Sequence, residues 1–336
     1  MIVPYIWLYT YKTKGSILNL QKSFFSQQNK IRMKRLPNAM EYVITGSLGN
    51  ISFPVTKALL NVGHEVTVIT SKQGNAKAIE SLGAKVAVGS VEDVNFLTKA
   101  FAGANAVYTM VPPNFGATEW KKWIGSIGKN YADAIKANGV KYVVNLSSVG
   151  AHREDGTGPV SGLHLAEEAL NALTNVNIKH LRPTYFYQNL FSTIGLIKHA
   201  GIIGSNFDVA DNKFGIVDPA DIATVAIEAL LQFNFTGHSA QYVASDDVST
   251  SAIANEIGKV IGKPDLAWVS FTNEQAYDGM KQAGLPEEIT KNYVEMGDAI
   301  NTGIMYEDYW KHHPTTLGKT KLKDFAKVFA AAYNVN

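Results

Sequence analysis

Two glycines, Gly46 and Gly49, stand between an apolar, β-branched run at residues 42–45 and a stretch in which Ile51, Val55, Ala58, Leu59 and Val62 recur at helical spacing. A strand that turns into a helix on glycines leaves the first helical N–H groups unpaired and facing the turn. The helix dipole favours an anion there. The chemistry this predicts is the holding of a dinucleotide pyrophosphate over Gly46, Ser47, Leu48, Gly49, Asn50 and Ile51. Ser52 takes the place of the third glycine in a Gly-x-Gly-x-x-Gly pattern and is small enough for close helix–strand packing. The competing reading is an ordinary tight turn.

The next apolar strand pattern ends in Thr70-Ser71-Lys72. In a doubly wound fold this strand end meets the adenosine ribose. An acid there binds the 2′-hydroxyl of NAD, whereas basic and hydroxyl groups suit the 2′-phosphate of NADP. Ser71, Lys72 and Lys77 supply the second set, so NADP(H) is favoured over NAD(H). Chance lysines on a solvated loop are the alternative. By position, Ser90 and Val91 flank the adenine, and Val111 and Pro112 run beneath the nicotinamide ribose. Leu146, Ser147 and Ser148 end a strand near the nicotinamide.

A hydride acceptor also needs a proton. The Tyr-x-x-x-Lys pair that serves many short-chain dehydrogenases occurs only as Tyr277/Lys281, far along the chain and read as a solvated helical pair. Where that pair is expected stands His164, the candidate catalytic residue; the alternative is a half-exposed histidine at a helix start. Glu167 and Glu168 are expected in the first turns of the same helix, where carboxylates suit the dipole. Without a strong proton donor, an electron-poor conjugated acceptor such as a quinone is a better substrate than a simple ketone. It takes hydride readily and its oxyanion takes a proton from water, so cofactor, apolar slot and distance suffice. Pro113, Tyr185, Tyr187 and Asn189 are expected to line that slot, with Phe186 as plain core.

These residues need a frame. Strand patterns at 42–45, 65–70, 85–89, 104–111, 141–146 and 178–181 alternate with helical patterns, which implies right-handed crossovers and a parallel sheet buried on both faces. Asp218-Pro219 opens a later helix, with Asp as N-cap and Pro at N1. Further strands are expected at 241–244 and 267–270, and helices at 250–261 and 322–333. The fold class is α/β: a doubly wound parallel Rossmann sheet over residues 40–185, with a smaller, mostly helical C-terminal portion over 186–336 packed on it as one unit.

The chain has 336 residues and no cysteine, which excludes disulfides and thiolate chemistry. No metal is expected, and no apolar run is long enough to cross a bilayer. Residues 1–40 carry seven Lys/Arg and no acid, while the remainder holds 24 bases against 29 acids. That mildly acidic body does not call for nucleic acid. Residues 1–39 are expected to be a poorly ordered extension, either an organelle-targeting leader or an over-extended start before Met33 or Met40. A cytoplasmic protein is the default.

The run from Thr45-Gly46 to Gly49, with 147–152 (Ser-Ser-Val-Gly-Ala-His), 181–189 (Leu-Arg-Pro-Thr-Tyr-Phe-Tyr-Gln-Asn) and 217–223 (Val-Asp-Pro-Ala-Asp-Ile-Ala), resembles the NmrA-like atypical short-chain dehydrogenases. Ala283-Gly-Leu-Pro286 and His313-Pro-Thr-Thr-Leu317 are further similar to the type 2 NAD(P)H:quinone oxidoreductase branch, whose relatives include triphenylmethane dye reductases. The resemblance runs from about residue 40 to the end. It implies NADP(H) on 46–51, Ser71 and Lys72, a substrate cleft between the two portions, and a small-molecule acceptor. It also admits members that bind the cofactor only to sense redox state, with a regulatory protein partner or a homo-oligomer. Many relatives carry a lysine near the histidine of that helix; here Leu163 precedes His164.

Overall fold

The computed structural model describes residues 39–335. The expected extension therefore lies almost wholly outside the described residues.

The sheet is built from short runs rich in valine. In chain order the first half comprises β1 (Glu41–Ile44), α1 (Ser52–Asn61), β2 (Glu65–Thr70), α2 (Ala76–Ser81), β3 (Lys85–Val88), α3 (Val94–Ala100), β4 (Ala106–Met110), α4 (Trp120–Asn138), β5 (Tyr142–Leu146), α5 (Val160–Asn171) and β6 (Asn177–Pro183). The strand order is β3-β2-β1-β4-β5-β6 with β10 (His238–Val243) added beyond β6, and every pairing is parallel. Helices cover both faces. Leu97, Ile127 and Tyr131 pack on one side with Val143 and Ile178. Val55, Leu59, Ile222 and Leu230 pack on the other with Ile44 and Val68. The chain reverses direction across the sheet between β1 and β4, and ligands of such folds bind at that point, off the carboxyl ends of the strands.

The C-terminal part comprises β7 (Tyr185–Phe186), α6 (Ile194–Ala200), β8 (Ile203–Ser205), β9 (Phe214–Val217), α7 (Pro219–Gln232), β10, β11 (Asp246–Val248), α8 (Thr250–Val260), β12 (Trp268–Ser270), α9 (Asn273–Gln282), α10 (Glu287–Asn301), α11 (Glu307–Lys311) and α12 (Leu322–Val335). Two small sheets, β7-β9-β11 and β8-β12, accompany the helices. Their strands are two to four residues long, too short to show a period-2 pattern, and only β12 lies within an expected strand. As expected, Asp218 caps α7, its carboxylate accepting from the Ala220 N–H at 2.8 Å with Pro219 in the first turn.

Two polar devices tie the layers together. The first crosses the buried sheet: Thr109 Oγ1 donates to Asn145 Oδ1 (2.9 Å), Asn145 Nδ2 to His180 Nδ1 (3.0 Å), and His180 Nε2 to Asn171 Oδ1 (3.0 Å). This direction of donation requires a neutral ring. Burial holds the His180 pKa below its ordinary value, aided by Arg182 and His238 and opposed by Glu167. The second device is an ion pair between β6 and α5. Arg182 donates from Nε and Nη2 to Glu167 Oε1 and Oε2 at 3.1 and 2.6 Å, and Ser147 Oγ donates to the same carboxylate at 2.5 Å. Tyr242 and Asp308 complete the shell, with Tyr242 OH donating to Asp308 Oδ2 at 2.6 Å. This corrects the dipole account of Glu167. The helix starts at Val160, so the residue sits beyond its first turn, 3 % exposed, and its partner is Arg182.

Glu167→Ala strands a guanidinium whose side chain is only 13 % exposed. Urea denaturation is expected to show a loss of about 3–5 kcal/mol, with the Glu167→Leu/Arg182→Met pair recovering most of it. His180 makes stability rise with pH. The unfolded ring binds a proton near its ordinary pKa and the folded ring does not, so this contribution is complete above about pH 6.5 and is lost as pH falls below it. His180→Asn should reduce the slope of unfolding free energy against pH in that window by at most about 1.4 kcal/mol per pH unit.

Candidate functional site: a dinucleotide crevice

At Gly46 the turn after β1 has room for backbone only. Gly46 takes φ +84°, and a Cβ there would lie 2.6 Å from Ser52 Oγ and 3.0 Å from Met110 Cγ. Ser52, 3 % exposed, donates to the Thr45 carbonyl at 2.8 Å. The serine in the third-glycine position thus clamps α1 against β1. The Gly49 N–H closes the turn on the Gly46 carbonyl at 3.1 Å, and Ser47 follows in a left-handed conformation at φ 55°. No side chain caps the start of α1 among the described residues, and its first turn carries no acid. The Ser47 N–H is taken by the Ile69 carbonyl and the Phe53 N–H by that of Gly49, so an anion at this acid-free helix start would be met by the N–H groups left among Leu48, Asn50, Ile51 and Ser52.

The same turn reaches the end of β2. Ser47 Oγ donates to Thr70 Oγ1 at 3.2 Å, and Asn75 Nδ2 donates to both hydroxyl oxygens at 3.0 and 3.2 Å. Ser71, Lys72 and Lys77 are exposed on the segment that follows Thr70. The glycine turn and the end of β2 are therefore joined by side-chain hydrogen bonds. Asn75 is the member that sequence reasoning missed, because an asparagine five residues beyond the strand has no recognisable spacing. Ser90 is exposed and turns inward on its own loop, its Oγ accepting from the Glu92 N–H at 3.1 Å. Val91 is half-buried and its carbonyl accepts from Asn130 at 3.2 Å.

On the far side of the crevice the exit of β4 is held from two directions. Thr45 Oγ1 accepts from the Met110 N–H at 2.9 Å, and Tyr131 OH donates to the Met110 carbonyl at 2.8 Å. Val111 and Pro112, half-buried, follow that fixed peptide, and Pro113 is exposed. Leu146 and Ser148 are half-buried at the end of β5, while the Ser147 hydroxyl is committed to Glu167.

His164 sits in the second turn of α5. Its Nδ1 lies 2.9 Å from the Ala151 carbonyl, which only an Nδ1–H satisfies, and its Nε2 lies 3.5 Å from Glu168. Both ring nitrogens thus face protein groups, and the ring pins the loop after β5 onto α5. Tyr277 and Lys281 each reach Glu287, at 2.6 and 3.3 Å.

The aromatic lip divides. Tyr185 is half-buried against Phe207 and Phe214, and burial together with Tyr293 raises its pKa. Tyr187 is 0 % exposed and stacks on Phe325 at 4.8 Å. It belongs to the core, and Phe186, half-buried, packs against the sheet core as expected. A short helical turn begins at Tyr187 and swings consecutive side chains away from strand alternation. Asn189 is exposed. A depression of about 450 Å³ opens between residues 115–118, after β4, and residues 286–288, at the start of α10. Behind it Trp120 meets Phe115 edge-on at 5.9 Å and Tyr293 at 5.6 Å, and its backbone N–H donates to Glu288 Oε1 at 2.9 Å.

Fold and crevice define a dinucleotide-binding α/β protein. The NmrA-like family profile matches residues 41–326, and the chain belongs to that family. An NAD(P)H azoreductase of Xenophilus azovorans is 23 % identical over 301 residues, covering 87 % of this chain and 98 % of its own. The NADPH complex of an NADPH-dependent quinone oxidoreductase from Escherichia coli superposes with a TM-score of 0.66 at 17 % identity, covering 85 % of this chain and 99 % of its own. Citrobacter triphenylmethane reductase, complexed with NADP(H), gives 0.68 at 20 %, covering 86 % and 99 %. Among the described residues no group of three side chains is placed to hold a metal ion, and no helix is long and apolar enough to cross a membrane.

Gly46→Val sets a branched carbon against Ser52 Oγ and Met110. Calorimetric titration with NADPH is expected to lose its heat while a cooperative unfolding transition remains. Full heat from the variant would exclude the turn as the pyrophosphate seat.

Proposed function

We propose that the protein is an NADPH-dependent oxidoreductase acting on quinone-like or other conjugated, electron-poor acceptors. The observation that carries this reading is the glycine turn into an uncapped, acid-free helix at the point where the sheet reverses, joined through Ser47 to a strand end that offers Ser71 and Lys72 and no carboxylate. NADP(H) fits this crevice. Residues 46–51 would hold the pyrophosphate, Ser71, Lys72 and Lys77 the 2′-phosphate, and Val111, Pro112, Leu146 and Ser148 the nicotinamide end. Bound NADPH supplies a hydride.

The protein's own groups orient and exclude water. Thr45 and Tyr131 fix the Met110 peptide, and with it the stiff Val111-Pro112-Pro113 segment. His164 holds the loop that carries Ser148 in place. His164 gives its Nδ1–H to the Ala151 carbonyl and is the one candidate donor of this reading, and an acceptor whose oxyanion is protonated by water does not depend on it. Tyr185 and Asn189 are the substrate-side residues of this reading. The relatives named as reductases of azo, quinone and triphenylmethane compounds support the same acceptor class.

Steady-state NADPH oxidation with a panel of quinones, azo dyes and conjugated lactones tests the activity. Tight NADPH binding with no turnover on any of them would support a cofactor-sensing role instead. Lys72→Glu is expected to weaken NADPH at least about tenfold while leaving NADH within about twofold, a difference that shrinks as salt is raised. Equal losses for both coenzymes would remove the 2′-phosphate from this corner.

A further inference from the structure

Where the glycine turn meets the end of β2, hydrogen-bond donors outnumber the lone pairs they share. Thr70 Oγ1, on a residue 3 % exposed, is approached by three donors: Ser47 Oγ, Asn75 Nδ2 and the Lys72 backbone N–H, each at 3.2 Å. A threonine oxygen has two lone pairs. One of the three donors is therefore in surplus.

Freedom of movement decides which one. The Lys72 N–H belongs to a closed turn, in which the Asn75 N–H returns to the Lys72 carbonyl at 3.0 Å. Asn75 Nδ2 carries two hydrogens and also donates to Ser47 Oγ at 3.0 Å, so it holds both hydroxyl oxygens. Ser47 is anchored through its own N–H, 3.1 Å from the Ile69 carbonyl, with φ 55°. Its hydroxyl hydrogen alone is free to rotate. With Asn75 occupying Thr70 and one lone pair of Ser47, that hydrogen turns away from the corner.

Asn75 gives up a local role to do this. It stands at the N-cap of α2, where asparagine is among the best capping residues, yet its side chain makes no capping bond. The first turns of α1, of the segment Gln73–Asn75 and of α2 carry no acid. The released O–H therefore meets no carboxylate from these turns, and Lys72 and Lys77 are exposed on the same segment.

We propose that Asn75 is a positioning residue for coenzyme selection. By crowding Thr70 it releases the Ser47 hydroxyl, which donates to a phosphate oxygen carried on the adenosine ribose. A phosphate dianion only accepts. A ribose hydroxyl must also place its own hydrogen, and these turns supply no carboxylate to take it. The proposal rests on the NADP(H) reading above and adds a directional contact to the charge of Lys72.

Calorimetric titration of the full chain with NADP⁺ and with NAD⁺, without any acceptor, tests it. Asn75→Ala leaves Thr70 two donors for two lone pairs, so the Ser47 hydrogen stays on Thr70. NADP⁺ affinity should then fall about tenfold while NAD⁺ stays within about twofold. Ser47→Ala should do the same. The double variant should bind NADP⁺ no more weakly than Ser47→Ala alone, because Asn75 acts through Ser47. A damaged turn would instead weaken both coenzymes, since both place a pyrophosphate there. Equal losses for the two coenzymes, additive losses in the double variant, or no change in Asn75→Ala overturn the proposal. So does a rise in NADP⁺ affinity in Asn75→Ala, which would mean that the amide oxygen faces Ser47. Wild-type protein that binds neither coenzyme would remove both this role and the NADP(H) reading. Preference for NADP⁺ without dependence on Asn75 would remove this role alone. Asn75-dependent preference without turnover on any acceptor would keep it and remove the reductase function.

Discussion

At Gly46, between the end of β1 and the start of α1, there is no space for a side chain, and the rest of the crevice is arranged around that fact. Ser52 reaches back to the Thr45 carbonyl, so the helix cannot drift from the strand, and Gly46 turns through a left-handed conformation against Met110. Because the neighbour across the gap is the last residue of β4, one close approach sets two things together. It leaves the start of α1 without a side-chain cap or an acid, and it brings the β4 exit within reach of Thr45. The Thr45 hydroxyl then fixes the Met110 N–H while Tyr131 fixes the carbonyl. The two sides of the crevice are therefore held at one distance by side chains that never need to touch a ligand.

The C-terminal part depends on a second constraint. Arg182 is largely removed from water and neutralised by Glu167, with Tyr242 and Asp308 filling its remaining valence. These groups come from β6, α5, β10 and α11. A buried ion pair of this kind contributes little net stability over a well-packed apolar substitute, but it penalises any arrangement that separates its partners. Here the arrangement it protects includes the end of β5, where Ser147 is bound to the same carboxylate, and hence the loop that His164 holds from the other side. The small β7-β9-β11 sheet then carries Tyr185 toward α10.

Among the described residues, His164 is the titratable side chain in the position expected of a proton donor. The histidine in the expected position spends one nitrogen on a backbone carbonyl and turns the other to Glu168. The polar ladder through His180 is buried, neutral and complete, so it stiffens the sheet and offers nothing to a ligand. What remains exposed is Ser71, Lys72 and Lys77 after β2 and Asn189 after β7.

The sequence by itself determined the repeating strand–helix alternation, the glycine turn, the α7 cap and the absence of an acid after β2, because each is a local pattern in which neighbouring residues meet the same backbone or the same ligand. It also carried enough ordered motifs, from Thr45-Gly46 to His313-Pro314, for the family to be legible. Tertiary structure alone decided what partners a side chain finds across the fold. Glu167 looked like a helix-dipole carboxylate until Arg182, fifteen residues on, was placed beside it. Tyr187 alternated with Tyr185 as a strand would, until the chain turned helical at that residue and buried it on Phe325. Asn75 joined Ser47, and Trp120 joined Tyr293, over separations that no periodicity encodes. The physical reason is the same in each case: spacing records which way a side chain leaves its own helix or strand, and only packing records what it meets.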